Sequence, residues 1–222
     1  MYKFTIPSAA FALALAATPA VQQGPALQFK EQSLTIKDSP SEDDAALVVD
    51  AESEQPLESF ELRDPNGHVV LRLRAATGER VAVSGLSIEG RESTLYALTS
   101  THAEGVYQLS GRTVTGRPVL GSAALSHQLL APPVVNFPTP DATGVPTSGL
   151  VISWNNDPGA ARYYIELEQG DNDGLTAMLG PGTHSFSVPS GLLAGATEST
   201  LEVQAIAANG NRTLTQLTFT TN

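Results

Sequence analysis

The chain contains no cysteine in its 222 residues. This absence excludes disulfide bonds, thiolate catalysis, cysteine-ligated zinc and lipid attachment through an N-terminal cysteine. The fold must therefore be stabilised by packed hydrophobic cores. Aromatic residues are also few, at 6% of the chain, and Trp154 is the only tryptophan. The chain thus offers little material for a sugar-binding surface made of several exposed rings.

Basic residues are scarce as well. Lys and Arg number 12 against 23 Asp and Glu, which gives a formal net charge of −11. Between Asp38 and Glu61 there are nine acidic residues and no basic one. A surface of this sign repels phosphate backbones and anionic lipids, so the composition argues against a nucleic-acid partner. Solubility is the simplest reason for the excess of acid.

The N-terminus has the layout of a secretory signal peptide. Lys3 supplies a positive charge, residues 4–17 form an apolar run rich in Ala and Leu, and residues 18–20 are small or proline. We predict cleavage after Ala20, with Ala26 as the alternative. The run is too short and too rich in alanine to span a membrane. We therefore expect a protein that is secreted or periplasmic, has no membrane span, and carries 11 basic and 23 acidic residues (−12) when mature.

Alternation of apolar and polar residues predicts strands. Leu150, Ile152 and Trp154 alternate with other residues, and the same period recurs over residues 163–168 and 201–205. Successive strand side chains point to opposite faces, so each set places its apolar members on one side. One buried and one solvated face is typical of an antiparallel sandwich. Since such domains have about 100 residues, the length predicts an all-β fold of two tandem β-sandwiches.

The N-terminal half contains one strong hairpin signal. Residues 57–62 and 69–74 both alternate, and Asp64-Pro65-Asn66-Gly67 between them predicts a tight turn. The buried face should consist of five apolar side chains: Phe60, Leu62, Val69, Leu71 and Leu73. The exposed face should pair Glu61 with Arg72 and Arg74. Residues 93–100 fit a strand and a helical turn equally well, and residues 104–111 and 119–127 predict two further long strands.

Five segments of the C-terminal half follow one another in a recognisable order: a proline-bearing strand at 132–140, a strand at 150–154 with the tryptophan, a strand at 163–168, a strand at 186–189, and a strand, turn and strand at 201–219. This order resembles a fibronectin type III domain over most of residues 132–222. The family usually has a tyrosine two residues before the position of Leu201, where its hydroxyl ties a corner to the backbone. This chain has Ser199, so we expect that corner to be held in another way or its register to be shifted.

The segment Gly105-Val106-Tyr107 resembles the opening of a late strand in immunoglobulin-like modules. We therefore predict an immunoglobulin-like sandwich at 27–131 followed by a fibronectin type III-like sandwich at 132–222. The boundary falls at Ala131-Pro132-Pro133, because consecutive prolines cannot donate to a sheet and they stiffen a linker. Taken whole, the chain resembles secreted bacterial fibronectin type III-containing proteins of uncharacterised function. That resemblance implies an exported module and supplies no chemistry.

Candidate sites are weak. Calcium prefers oxygen ligands, which Asp171 and Asp173 or Asp43 and Asp44 could supply, although the first pair lies where Asp, Asn and Gly ordinarily form a turn. Tyr164 is the plainest outward ring for a glycan. The string around Ser87 lacks the glycine spacing and the strand-to-helix context of a nucleophile elbow. We expect no cofactor and no catalytic set.

The sequence therefore predicts a non-catalytic interaction or spacer module that contacts a protein or glycan of the cell envelope through loops or an exposed strand edge. The alternative is a glycan-binding accessory module, with calcium taking part. A hydrolase that uses paired carboxylates is a third possibility.

Overall fold

The computed structural model describes residues 24–74, 83–170 and 174–222. Within them the chain is all-β, apart from one short helix. The elements in chain order are β1 (Leu27–Gln28), β2 (Glu31–Ser39), β3 (Asp44–Arg63), β4 (Val69–Arg74), β5 (Val83–Glu92), α1 (Leu95–Thr101), β6 (Gly105–Thr113), β7 (Pro118–Leu125), β8 (Val135–Phe137), β9 (Ala142–Val145), β10 (Val151–Trp154), β11 (Ala160–Glu168), β12 (Leu175–Leu179), β13 (Ser185–Ser187), β14 (Glu198–Ala207) and β15 (Arg212–Thr221). The predicted signal peptide lies outside the described residues.

Two sheets contain these strands. The larger has twelve strands, with the path β1-β7-β6-β3-β2-β15-β14-β11-β12, to which β4 and β5 add on β3 and β9 adds on β15. The smaller has the order β13-β10-β8. Along this path, β1 to β7 lie on one side and β11 to β15 on the other. The pairing of β2 with β15 joins the two groups.

Strand β3 is 20 residues long and changes its buried face part-way. Val49 and Ala51 are buried in its first part, whereas Phe60 and Leu62 are buried in its second. The pairing with β6 shifts register between Leu57 and Ser59. One extra residue at such a bulge moves the inward side chains from odd to even positions. A single strand therefore pairs with β2 and β5 at one end and with β4 and β6 at the other.

The predicted hairpin forms, but its buried face is smaller than expected. Glu61 lies opposite Arg72 and accepts a hydrogen bond from its Nε at 2.6 Å, as predicted. Val69 and Leu73 are instead 41% and 40% exposed, so their assignment to the core was wrong. Among the described strands β4 pairs with β3 alone, and its middle residues contact the first core while its ends extend past it. In the turn, Gly67 adopts a φ of 87°.

The described residues form two separate hydrophobic clusters. The first contains residues from Phe29 to Leu125, and the second contains residues from Val145 to Phe219. We call residues 24–125 the N-terminal half, residues 134–222 the C-terminal half, and residues 126–133 the segment between the halves. Trp154, Ile165 and Val203 share the second cluster. The predicted inward sets of β10, β11 and β14 are therefore confirmed.

Residues 95–101 form the helix α1, which settles the ambiguity of that segment. Thr94 caps it, because its Oγ1 accepts a hydrogen bond from the backbone nitrogen of Ala97 at 3.1 Å. Leu98 is its one buried side chain, and it joins the first cluster. Seven residues make only about two turns, too few to separate the helical period from the strand period by pattern.

Each half holds a corner with a different side chain. In the N-terminal half the buried Tyr107 donates its hydroxyl to the carbonyl of Ala103 at 2.9 Å. In the C-terminal half the buried amide of Gln169 donates to Ser199 Oγ at 3.0 Å and to the carbonyl of Ala194 at 3.1 Å, and it accepts from the nitrogen of Ala194 at 2.6 Å. Gln169 thus ties down the corner where a tyrosine was expected, and the register around Ser199 is regular.

Candidate interaction surfaces and the joint between the halves

The two halves meet through backbone pairing. Arg212 and Thr213 of β15 lie parallel to Lys37 and Asp38 of β2. Farther along, the backbone nitrogen of Gln216 donates to Ser41 Oγ at 3.3 Å, and its side chain donates to Glu42 Oε1 at 2.8 Å. The turn between β2 and β3 therefore lies along the edge of β15.

Asn211 is the central side chain of this joint. It is 2% exposed, and its Oδ1 accepts a hydrogen bond from the backbone nitrogen of Ile36 at 2.9 Å. Its Nδ2 donates to the carbonyls of Ser126 and Gln128 at 2.7 and 2.9 Å. One amide thus connects β2, the segment between the halves and the β14–β15 turn. Asn211 begins the glycosylation sequon Asn211-Arg212-Thr213, but its Nδ2 is buried and bonded inward and so is not accessible to glycosylation in the folded chain.

The segment between the halves is itself docked. Leu129 packs against the first cluster and Leu130 against the second. The carbonyl of Pro133 accepts a hydrogen bond from Thr215 Oγ1 at 2.7 Å. Gly210 has a φ of 88°, and a Cβ on it would lie 2.9 Å from Thr35 Cγ2. The two halves therefore approach closely at a position that accommodates only glycine without strain.

Strand edges differ in how well they are protected. Most other edge strands among the described residues carry charges, flank prolines or are very short. The charged ones are β4, with Arg72 and Arg74, and β5, with Glu89, Arg91 and Glu92. Prolines flank β8 (Pro133 and Pro138) and β9 (Pro140 and Pro146), whereas β13 has three residues and β1 has two. Natural sheets use these same devices to prevent pairing with other chains. Strand β12, which ends the twelve-stranded sheet, has five residues with neither charge nor proline. Its Met178 is 54% exposed.

Tyr164 lies on the outer face of the same sheet. It is opposite Met178 on β12 and Gln204 on β14, and it is half-buried rather than freely exposed. Its hydroxyl donates to Glu166 Oε2 at 3.4 Å. Burial, together with the nearby Glu166 carboxylate, raises the pKa of the Tyr164 hydroxyl. The ring is therefore partly covered by its neighbours, and only part of its face is available to a ligand.

Asp43 and Asp44, the described calcium candidates, have different surroundings. Asp44 accepts a hydrogen bond from Arg91 Nη1 at 2.9 Å, whereas Asp43 is exposed in the turn with a φ of 51°. Asp171 and Asp173 lie outside the described residues. Among the residues that are described, no group of three or more His, Asp and Glu side chains is arranged to hold a metal ion.

Ser87 takes part in a row of side chains across three strands. Its hydroxyl donates to Asp50 Oδ1 at 2.6 Å, and Ser33 donates to Asp50 Oδ2 at 3.1 Å. The three residues lie opposite one another in the registers of β2, β3 and β5. The row links neighbouring strands on the outer face of the N-terminal half.

Two features of the structure have no clear signal in the sequence: the joint at Asn211 and Gly210, and the strand β12. Asn211 and Gly210 appeared as turn residues, and their contacts with residues more than 170 positions earlier left no local signal. Residues 175–179 were not predicted as a strand, although Leu175, Ala177 and Leu179 alternate with Thr176 and Met178.

Comparison with known proteins gives structural likeness only. No family model matches the chain, and no curated protein matches it. Among solved structures, the fibronectin(III)-like modules of CbhA from Clostridium thermocellum are similar at 11% identity, with 87% of this chain and 93% of that chain covered and a TM-score of 0.33. A segment of two fibronectin type-III domains from chicken tenascin is similar at 8% identity, with 87% and 99% covered and a TM-score of 0.33. A tetra-tandem repeat from the extending region of a large adhesion protein is similar at 18% identity, with 86% and 50% covered and a TM-score of 0.30.

No helix in the described part of the chain has the length and apolarity needed to cross a bilayer.

Proposed function

We propose that this protein is an exported, non-catalytic spacer that presents a strand edge to a partner in the cell envelope. The spacer consists of an immunoglobulin-like unit at 27–131 and a fibronectin type III-like unit at 132–222. The observation that carries the proposal is the continuous sheet that runs through the pairing of β2 with β15 and ends at β12. Export rests on the signal-peptide-like N-terminus.

The spacer role is supported by the joint. Units linked by a flexible segment move independently unless their contact is extensive. Here the contact combines backbone pairing, the buried Asn211 amide and a docked linker. The Lys37 ammonium also lies 3.8 Å from Glu202 Oε1 across the joint. These contacts favour a fixed angle between the units, which a spacer needs in order to hold a partner at a set distance.

The interaction role is supported by the unprotected edge of β12. An extended segment can add to such an edge through main-chain hydrogen bonds, and side chains that alternate along it then set specificity. Neighbouring strands lie about 4.8 Å apart, so a lysine opposite Thr176 could reach past that small side chain to Glu166. An apolar residue two positions away would contact Met178. The chemistry of the edge therefore favours a partner segment in which basic and apolar residues alternate.

Glycan binding remains the alternative, with Tyr164 as its ring. No contact in the described residues favours it over strand addition, because Tyr164 is half-buried between Met178 and Gln204.

The edge is tested with two fluorescently labelled peptides in fluorescence anisotropy. One alternates Lys and Val with intervening Thr, and the other has Glu in place of Lys. We expect the Lys peptide to bind the full chain and the Glu peptide to bind about tenfold more weakly or not at all. Thr176→Lys should abolish binding, because it places a charge on the edge.

The matched control is Val151→Lys, which adds the same charge at an exposed position of the smaller sheet. Equal binding of the Lys peptide to both variants, or no saturable binding by the wild type, would refute strand addition at β12.

A further inference from the structure

A small acidic pocket lies in the N-terminal half, away from β12. Its volume is about 250 Å³, and its walls come from the end of β2, the β2–β3 turn and the start of α1. It is lined by Asp38, Asp43 and Asp44 and, on the helix side, by Leu95 and Tyr96.

Asp38 is the unusual member of this group. It continues the inward alternation of Leu34 and Ile36 on β2 and is only 8% exposed. Its carboxylate forms neither a hydrogen bond nor an ion pair with any described residue, and burial alone raises its pKa. Burying an ionised carboxylate without a partner is costly, so such groups are normally paired. A pocket with an unpaired carboxylate in its wall is therefore suited to a cation.

The other charges around the pocket leave it negative. Asp44 is neutralised by Arg91, whose Nη1 lies 2.9 Å from its Oδ2. Lys37, next to Asp38 in sequence, points to Glu202 instead. Asp38 and Asp43 are left without a basic partner among the described residues.

We propose that this pocket binds the cationic end of an arginine or lysine side chain from a partner. A metal ion is disfavoured, because the carboxylates of the described residues do not converge in a group of three. The volume is below the usual range of pockets for drug-sized ligands and suits a single side chain. Tyr96 is 82% exposed at the rim, where its ring can stack on a guanidinium or cover an ammonium. This site goes beyond strand addition, and it does not depend on β12.

The test is an NMR titration of the ¹⁵N-labelled full chain with N-acetyl-arginine amide. Its matched neutral probe is N-acetyl-citrulline amide, which has nearly the same shape. We expect saturable shifts of the amides of residues 38–44 and 94–96 with the arginine probe only. Asp38→Asn should weaken binding about tenfold or more, since it removes one charged partner of the pair. Tyr96→Ala should weaken it by a smaller factor.

Glu58→Gln is the control, because it removes the same charge at an exposed site elsewhere on β3. Equal weakening by Glu58→Gln and Asp38→Asn would show attraction to general acidity and overturn the proposal. Equal binding of both probes, absence of saturable shifts, or a stronger response of these amides to calcium chloride would also overturn it. None of these outcomes bears on the peptide experiment at β12.

Discussion

Replacing Asn211 with alanine should loosen the joint between the two halves. The change removes three hydrogen bonds, to the nitrogen of Ile36 and to the carbonyls of Ser126 and Gln128. Each such bond contributes a net of about 1 kcal/mol, and a buried group left without a partner costs roughly 1–3 kcal/mol. Ile36 is fully buried, so water does not readily replace the lost acceptor. We therefore expect the free energy of unfolding to fall by about 3 kcal/mol.

Urea unfolding measures this change with two reporters. The fluorescence of Trp154, which is buried in the second cluster, follows the C-terminal half. Backbone circular dichroism follows both halves. In the wild type the two transitions should coincide, whereas in Asn211→Ala they should separate because the halves have lost their coupling.

Asn66→Ala is the matched control. It makes the same change in an exposed turn, where a shift within about 0.5 kcal/mol is expected. A loss below about 0.5 kcal/mol for Asn211→Ala, with coincident transitions, would refute the reasoning about the joint.

Three other changes test separate parts of the structure. Gln169→Met keeps the size of the side chain but removes its three hydrogen bonds at the corner, so it should cost roughly 2–4 kcal/mol in urea unfolding. Gly210→Ala should cost at least about 1 kcal/mol, because it combines a positive φ with the close approach of Thr35. Burial raises the pKa of Asp38, so the folded state binds its proton more tightly than the unfolded state, and stability from this group falls as the pH rises above about 4. Asp38→Asn should therefore gain stability relative to the wild type between acidic and neutral pH, and a constant difference across that range would contradict the assignment.

Local patterns in the sequence predicted those parts of the fold that depend on local physics. The buried faces that contain Ile152, Ile165 and Val203 followed from the period of a strand alone, because alternating apolar residues all point to the same side of the sheet. The hairpin of β3 and β4 followed from its turn residues. The prediction that Val69 and Leu73 are buried was wrong, because their exposure depends on how far the core extends beneath an edge strand.

Contacts between distant segments had no such signal. The pairing of Thr213 with Asp38 joins positions 175 residues apart, and neither residue has a neighbour that indicates it. The role of Gln169 is similar. The missing tyrosine near Ser199 showed that something else must hold the corner, but a glutamine thirty residues earlier is recognisable only when the two strands are in place.

A distance measurement across the joint tests most directly whether the two halves form one stiff spacer. Because the chain has no cysteine, Leu120→Cys and Met178→Cys would place two spin labels at exposed sites, one in each half, without further changes. Pulsed electron paramagnetic resonance should give one narrow distribution of distances between the two labels, and this distribution should broaden when Asn211→Ala is added. A broad distribution in the chain with an intact Asn211 would mean that the halves move independently, and it would contradict the spacer.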